Sequence, residues 1–160
     1  MNSWRIALLI LFSALLVNGY GQSTFDRSSF YSAMASENVT HIDAQLDIVT
    51  KSSMTEKDAF EGALNMKKAG LIKGPSKKLS LFKAGHKKLE AALNKDTNNV
   101  EFRFLRLMIQ ENAPRILGYK SNIDEDKAII TKQFKSLPAA VQQAVTDYSK
   151  KSKVIKPADL

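Results

Sequence analysis

Residues 101 to 114, "EFRFLRLMIQENAP", limit the possible folds more than any other stretch of the chain. At roughly 100° per residue, Phe102, Phe104, Leu105, Leu107, Met108 and Ile109 spread apolar surface over most of a helix. Only Arg103, Arg106 and Gln110 cluster, within about 60° of one another, with Asn99 in line and Glu101 nearly opposite. A helix apolar over that much of its circumference has to be enclosed on several sides, so it is expected to be the central helix of a helical core. Its polar strip must then meet either water or carboxylates from a neighbouring helix. The first expectation is pairing with the acidic helix start after residue 122, because a guanidinium matches a carboxylate. The alternative is an anion- or carboxylate-binding groove, which makes Arg103, Arg106 and Gln110 candidate binding residues, and a small-molecule pocket on the strip comes after that.

What encloses this helix can be read from the rest of the chain. No stretch alternates Val, Ile, Thr and aromatics between turn residues, so strands are not indicated. Helical spacing recurs instead. Val39, Ile42, Leu46 and Val49 form one stripe, preceded by a short helical piece with Phe30, Tyr31 and Met34. Thr55 and Asp58 resemble a capping pair opening a helix that Gly70 would close, with Phe60, Ala63, Leu64 and Met66 turned inward. "GLIKGP" reads as a loop and Ser76 as the cap of a helix over 77–94, which places Leu79, Phe82, Leu89 and Leu93 on its inner face. Asn98 with Glu101, and Asn122 with Glu125, repeat the capping arrangement, and Pro114 ends the central helix. Ile123, Ile130 and Phe134 mark the next helix, and Val141, Val145 and Tyr148 a last one beginning at Leu137 and Pro138. The fold expected is all-α, with six to seven short helices in antiparallel hairpins.

Residues 82 to 99, "FKAGHKKLEAALNKDTNN", resemble the second helix of a tetratricopeptide repeat running into its junction: an aromatic, then Gly85, Leu89 and Ala92 at the family's spacing, then an Asp-x-Asn-Asn turn. "VEFRFLRLM" resembles the opening of a following repeat, although Arg106 and Leu107 stand where that family carries Leu and a small residue. The resemblance covers about one hairpin. It implies closely approaching helix pairs, partly tetratricopeptide-like, and no catalytic residue. The chain as a whole also resembles small exported proteins of Bacteroidota, a likeness that implies no activity.

The N-terminus points to export. "MNSWR" precedes "IALLILFSALLV", twelve uncharged residues, which at roughly 1.5 Å per residue are too short for the roughly 30 Å hydrocarbon layer and suit a signal-peptide core. Gly19 and Gly21 flank Tyr20 in a pattern a signal peptidase accepts, so residues 1–21 read as a signal peptide, with 22–150 as one domain and 151–160 as a basic disordered tail. The product is expected in the periplasm or outside the cell. With no cysteine, neither disulfides nor a lipidated cysteine can hold it, and its core must.

The formal net charge is +8, of which Arg5 contributes one, leaving +7 after cleavage. Between Gly62 and Leu89 there are eight lysines and no Asp or Glu. Lys77, Lys78, Lys83, Lys87 and Lys88 are therefore read as a basic helix face, either solvated or bound to an anionic polymer or membrane surface. Nucleic acid is a poor partner for an exported chain.

Nothing assembles into catalytic chemistry. His41 and His86 have no second ligand at metal-binding spacing, and "GLIKGPSKK" has the wrong order for a phosphate loop. Asp124, Glu125 and Asp126 are placed to complement a helix dipole, Glu101 reads as a capping residue, and Glu90 and Glu111 stand without visible partners. The expectation is a non-catalytic protein with no cofactor or metal that binds a protein partner in a groove between hairpins. Anionic-surface binding through the lysines is the alternative.

Overall fold

A computed structural model describes residues 24–160, and the signal-peptide assignment to residues 1–21 lies outside them. Among the described residues seven α-helices follow one another: α1 (Arg27–Ala35), α2 (Val39–Lys51), α3 (Lys57–Leu71), α4 (Pro75–Lys95), α5 (Val100–Asn112), α6 (Ile123–Gln133) and α7 (Ala139–Ser149). Short 3-10 turns lie at Arg115–Leu117, Phe134–Ser136 and Pro157–Asp159, and no strand occurs among the described residues. The all-α expectation holds.

α5 is the hub. Ten of its thirteen residues are buried, and it packs against α3, α4 and α6. Phe104 also meets Tyr31 of α1 and Tyr148 of α7 edge-on or tilted, both at 5.7 Å between ring centres. Its apolar circumference is what makes this position stable: every exposed face of such a helix would cost roughly 25 cal/mol per Å² of apolar area.

α3 and α4 form an antiparallel hairpin, with Lys78 opposite Gly70, Gly85 opposite Gly62 and Lys88 opposite Glu61. The two glycines set how close the helices come. A Cβ on Gly85 would lie 2.5 Å from the Gly62 carbonyl oxygen, and one on Gly62 would lie 2.7 Å from that of Gly85.

Several expected helix starts shift. α3 begins at Lys57 with no side-chain cap, so the Thr55 and Asp58 pair does not form, and α3 runs one residue past Gly70. α4 begins two residues before position 77: Pro75 occupies the first turn, where its missing N–H costs nothing, and Gly74 makes the turn at φ +90°. Ser76 therefore lies inside the helix. Asn99, not Asn98, caps α5 by accepting from the Phe102 N–H at 3.1 Å. Asn122 precedes α6 but its side chain turns to Gln110, whose Nε2 donates to Asn122 Oδ1 at 3.2 Å.

The C-terminal segment is not a disordered tail. Ile155 is fully buried in the core, and Glu111 of α5 accepts hydrogen bonds from Tyr148 Oη (2.6 Å), Ser152 Oγ (2.6 Å) and the Lys153 backbone N–H (2.5 Å). The lysines suggested a solvated end, but Val154 and Ile155 between them supply the apolar anchor.

Candidate functional site

The arginine strip of α5 closes on the first turn of α6. Arg106 grips Asp126 through Nε to Oδ2 (2.7 Å) and Nη2 to Oδ1 (2.8 Å), and Arg103 Nη1 donates to the same Oδ1 and to Glu125 Oε1, each at 2.9 Å. Arg103 Nε and Nη2 both donate to the Thr97 carbonyl oxygen, and Arg106 Nη1 reaches Glu90 Oε2 at 3.3 Å. Asp126 is fully buried, and Arg103 and Arg106 nearly so. Burial alone would lower the Arg106 pKa, but Asp126 and Glu90 outweigh it and hold the guanidinium above its ordinary value.

Two cations therefore face three carboxylates, Glu90, Glu125 and Asp126. Every guanidinium nitrogen already donates to a protein oxygen and the carboxylates outnumber the cations, so the strip offers an anionic ligand no net positive charge. Gln110 completes it, fully buried, with Nε2 on Asn122 and Oε1 without a partner among the described residues. The candidate binding residues Arg103, Arg106 and Gln110 are brought together, but as the internal pairing with the start of α6 and not as an open groove.

The carboxylates read as caps or as isolated take specific partners. Glu101 faces the opposite side of α5, where Arg27 Nε donates to both of its oxygens (3.1 and 3.0 Å) and Tyr31 Oη to Oε1 (3.1 Å). Burial pushes its pKa up, and Arg27 and Tyr31 offset only part of that. Glu90 accepts from the Tyr119 hydroxyl as well as from Arg106. The pKa of Tyr119 is raised by burial and then by Glu90.

The lysine face divides. Lys88 is half-buried and pairs with Glu61 at 2.7 Å and Asp58 at 3.6 Å, whereas Lys77, Lys78, Lys83 and Lys87 are exposed and form no ion pair among the described residues. No group of three or more His, Cys, Asp or Glu residues suited to a metal occurs among the described residues, and no helix there is long and apolar enough to cross a membrane.

One open apolar feature remains. Leu79, expected on the inner face of α4, is 42 % exposed, and Ile116 is 93 % exposed; these are the exposed large apolar side chains of the described residues. They line the same groove of about 430 Å³, whose walls are Leu79, Phe82, Lys83 and His86 on α4, and Ile116, Leu117, Gly118 and Tyr119 in the segment after α5. Tyr119 stands edge-on to His86 at 4.5 Å and to Phe82 at 5.9 Å between ring centres. Ile116 and Leu117 carry no helix or strand signal of their own, because a two-residue apolar step between Pro114 and Gly118 has no periodicity. The signal available was an apolar pair in a segment too short to bury it. Protein-family models, curated proteins and solved structures were all compared with the chain, and none matches it.

Proposed function

We propose that this chain is an exported, non-catalytic binding protein that engages a partner protein through the groove between α4 and residues 116–119. The observation that carries this is the convergence of Leu79 and Ile116 on one concavity, since an isolated exposed apolar side chain is ordinary and a lined apolar groove is not. Export rests on the "IALLILFSALLV" run after "MNSWR", with Gly19 and Gly21 placed for cleavage. The non-catalytic reading is supported by the arginine strip, whose two cations are paired inside the fold with three carboxylates. The Gly62 and Gly85 crossing supports a tetratricopeptide-like pair at α3 and α4.

The test is capture by the immobilised mature chain, with and without Leu79→Ser and Ile116→Ser together. A protein retained in roughly 0.5 M salt by the unmodified chain and lost with the double variant is the expected result, because apolar contact survives screening. Equal retention by both overturns the groove.

A second reading rests on the four exposed lysines: binding to an anionic polymer or membrane surface through α4. Changing Lys77, Lys78, Lys83 and Lys87 to Gln would then lower the salt needed for elution from an anionic matrix. Unchanged elution overturns it.

A further inference from the structure

The groove exists because two neighbouring helices differ in length. α4 has 21 residues and α5 has 13, about 32 Å against about 20 Å along their axes. They run antiparallel, with Arg103 bonded to Thr97 just beyond the end of α4 and Arg106 to Glu90 within it. Pro114 stops α5 before it reaches the first turns of α4, and Pro75 to Ser80 are all exposed. Leu79, Phe82 and His86, spaced i, i+3 and i+7, form one ridge of α4 that has lost the helix packed against its C-terminal half. Tyr119 caps the groove at the His86 end.

The charge at the groove is of one sign. Lys83 lines it, Lys87 follows one turn later, Arg115 is exposed beside Ile116, and no carboxylate is among the lining residues. The nearest acid on the ridge, Glu90, is already engaged by Tyr119 and Arg106.

Resting on the groove reading above, we propose that the occupant is an acidic amphipathic helix of the partner protein, lying along the overhanging N-terminal half of α4 in the line that α5 leaves at Pro114. Its apolar ridge enters between Leu79, Phe82 and Ile116, and its flanking carboxylates meet Lys83, Lys87 and Arg115. Helix-in-groove recognition uses this i, i+3, i+4, i+7 spacing, whereas strand addition needs a sheet edge and none occurs among the described residues. A lipid bilayer fits less well for two reasons. A planar surface cannot fill a hollow of about 430 Å³. In addition, Lys77, Lys78 and Lys83 project roughly 100–140° apart around α4, so they do not share one plane.

The test uses the mature chain and three synthetic helical peptides of about four turns with an identical leucine ridge, flanked by Glu, Gln or Lys, together with vesicles of equal parts phosphatidylcholine and phosphatidylserine. Anisotropy should give at least tenfold tighter binding for the Glu peptide than for the Lys peptide. Amide shift changes should map to residues 79–86 and 116–119. Leu79→Ser with Ile116→Ser should weaken the Glu peptide at least tenfold, and Lys83→Glu with Lys87→Glu should reverse the preference. If the Gln peptide binds as tightly as the Glu peptide, at the same residues, the acidic partner is overturned while the groove reading stands. If no peptide binds, the helical occupant is overturned. Vesicle binding lost with the double serine variant, without peptide binding, overturns the groove reading as well and assigns the patch to a membrane.

Discussion

The polar edge of α5 and the apolar ridge at the start of α4 are both out of keeping with their surroundings, and they end in opposite ways. Arg103 and Arg106 lie in a helix buried at ten of its thirteen residues, yet each of their guanidinium nitrogens donates, to Asp126, Glu125, Glu90 or the Thr97 carbonyl. Leu79 and Ile116 lie among lysines and loop residues and stay open to solvent, at 42 % and 93 % exposure. A buried charge left unpaired would cost several kcal/mol, enough to undo a fold of ordinary stability, so such a site must be completed from within. An exposed apolar side chain costs far less, so it can be kept for something outside. Where a chain tolerates an unsatisfied group thus says more about binding than where it carries charge.

The comparison is broken most severely at Asp126. Asp126→Asn leaves two buried guanidiniums without their shared carboxylate and is expected to cost about 3–5 kcal/mol. Denaturant unfolding measures this as a large fall in midpoint with little change in slope. Replacing Arg106 by Met and Asp126 by Leu together should cost less than Asp126→Asn alone, because one buried guanidinium and not two then loses Asp126, and that one, Arg103, keeps Glu125. A double variant worse than the single one would mean that the pair does more than hold the fold.

The α3–α4 hairpin is tight at its centre and open towards its connecting turn. Gly85→Ala drives a Cβ against the Gly62 carbonyl oxygen, a backbone atom that cannot swing aside, and should cost about 1–3 kcal/mol. Gly70→Ala meets nothing within 4 Å and should be neutral to slightly stabilising, by up to about 1 kcal/mol. Thermal midpoints of the two variants check both signs. A tolerated Gly85→Ala would mean that the hairpin is looser than this crossing.

Glu111 gives a smaller and local effect. Burial alone would raise its pKa, but the bonds from Ser152, Tyr148 and the Lys153 N–H outweigh that and hold it below its ordinary value. A depressed carboxylate contributes stability that is present above its unfolded pKa, roughly 4.3, and lost as pH falls through the folded value. Protection of the Val154 and Ile155 amides, taken against the unprotected exchange rate at the same pH, should therefore be high near neutrality and low well below about pH 4. Glu111→Gln should lower that protection at neutral pH and remove most of its acid dependence. Glu101 has the opposite sign: its raised pKa gives a contribution present at low pH and lost as pH rises through the folded value, so the α1 contact should not open in acid along with the C-terminal segment.

How far these regions were legible in the sequence depended on whether the decisive neighbour was local. The spacing within residues 101–114 located the central helix and its polar edge, and the acids after Asn122 supplied the partner that was expected. Glu101 reads as a cap because sequence separation conceals Arg27, 74 positions away. Glu90 and Glu111 looked isolated because Tyr119, Tyr148 and Ser152 reach them only through the tertiary fold. Val154 and Ile155 were too few to register as a docked segment. Leu79 falls on the correct ridge by periodicity. Whether a ridge is covered depends on the length of the opposing helix and its register, which periodicity does not encode.

The smallest expected effect is the one that most directly separates the two regions. Leu79→Ser and Ile116→Ser remove exposed apolar surface and open no cavity in the core, so together they should move the unfolding free energy by no more than about 0.5 kcal/mol per site, against the several expected at Asp126. Unfolding midpoints measured beside those of Asp126→Asn give the contrast directly. A destabilisation of roughly 2 kcal/mol or more would mean that Leu79 and Ile116 belong to the core of this chain, as Leu89 and Leu93 do further along α4. Indifference to their loss is what a surface held for another molecule requires, because a side chain whose burial awaits a partner contributes nothing to the fold that carries it.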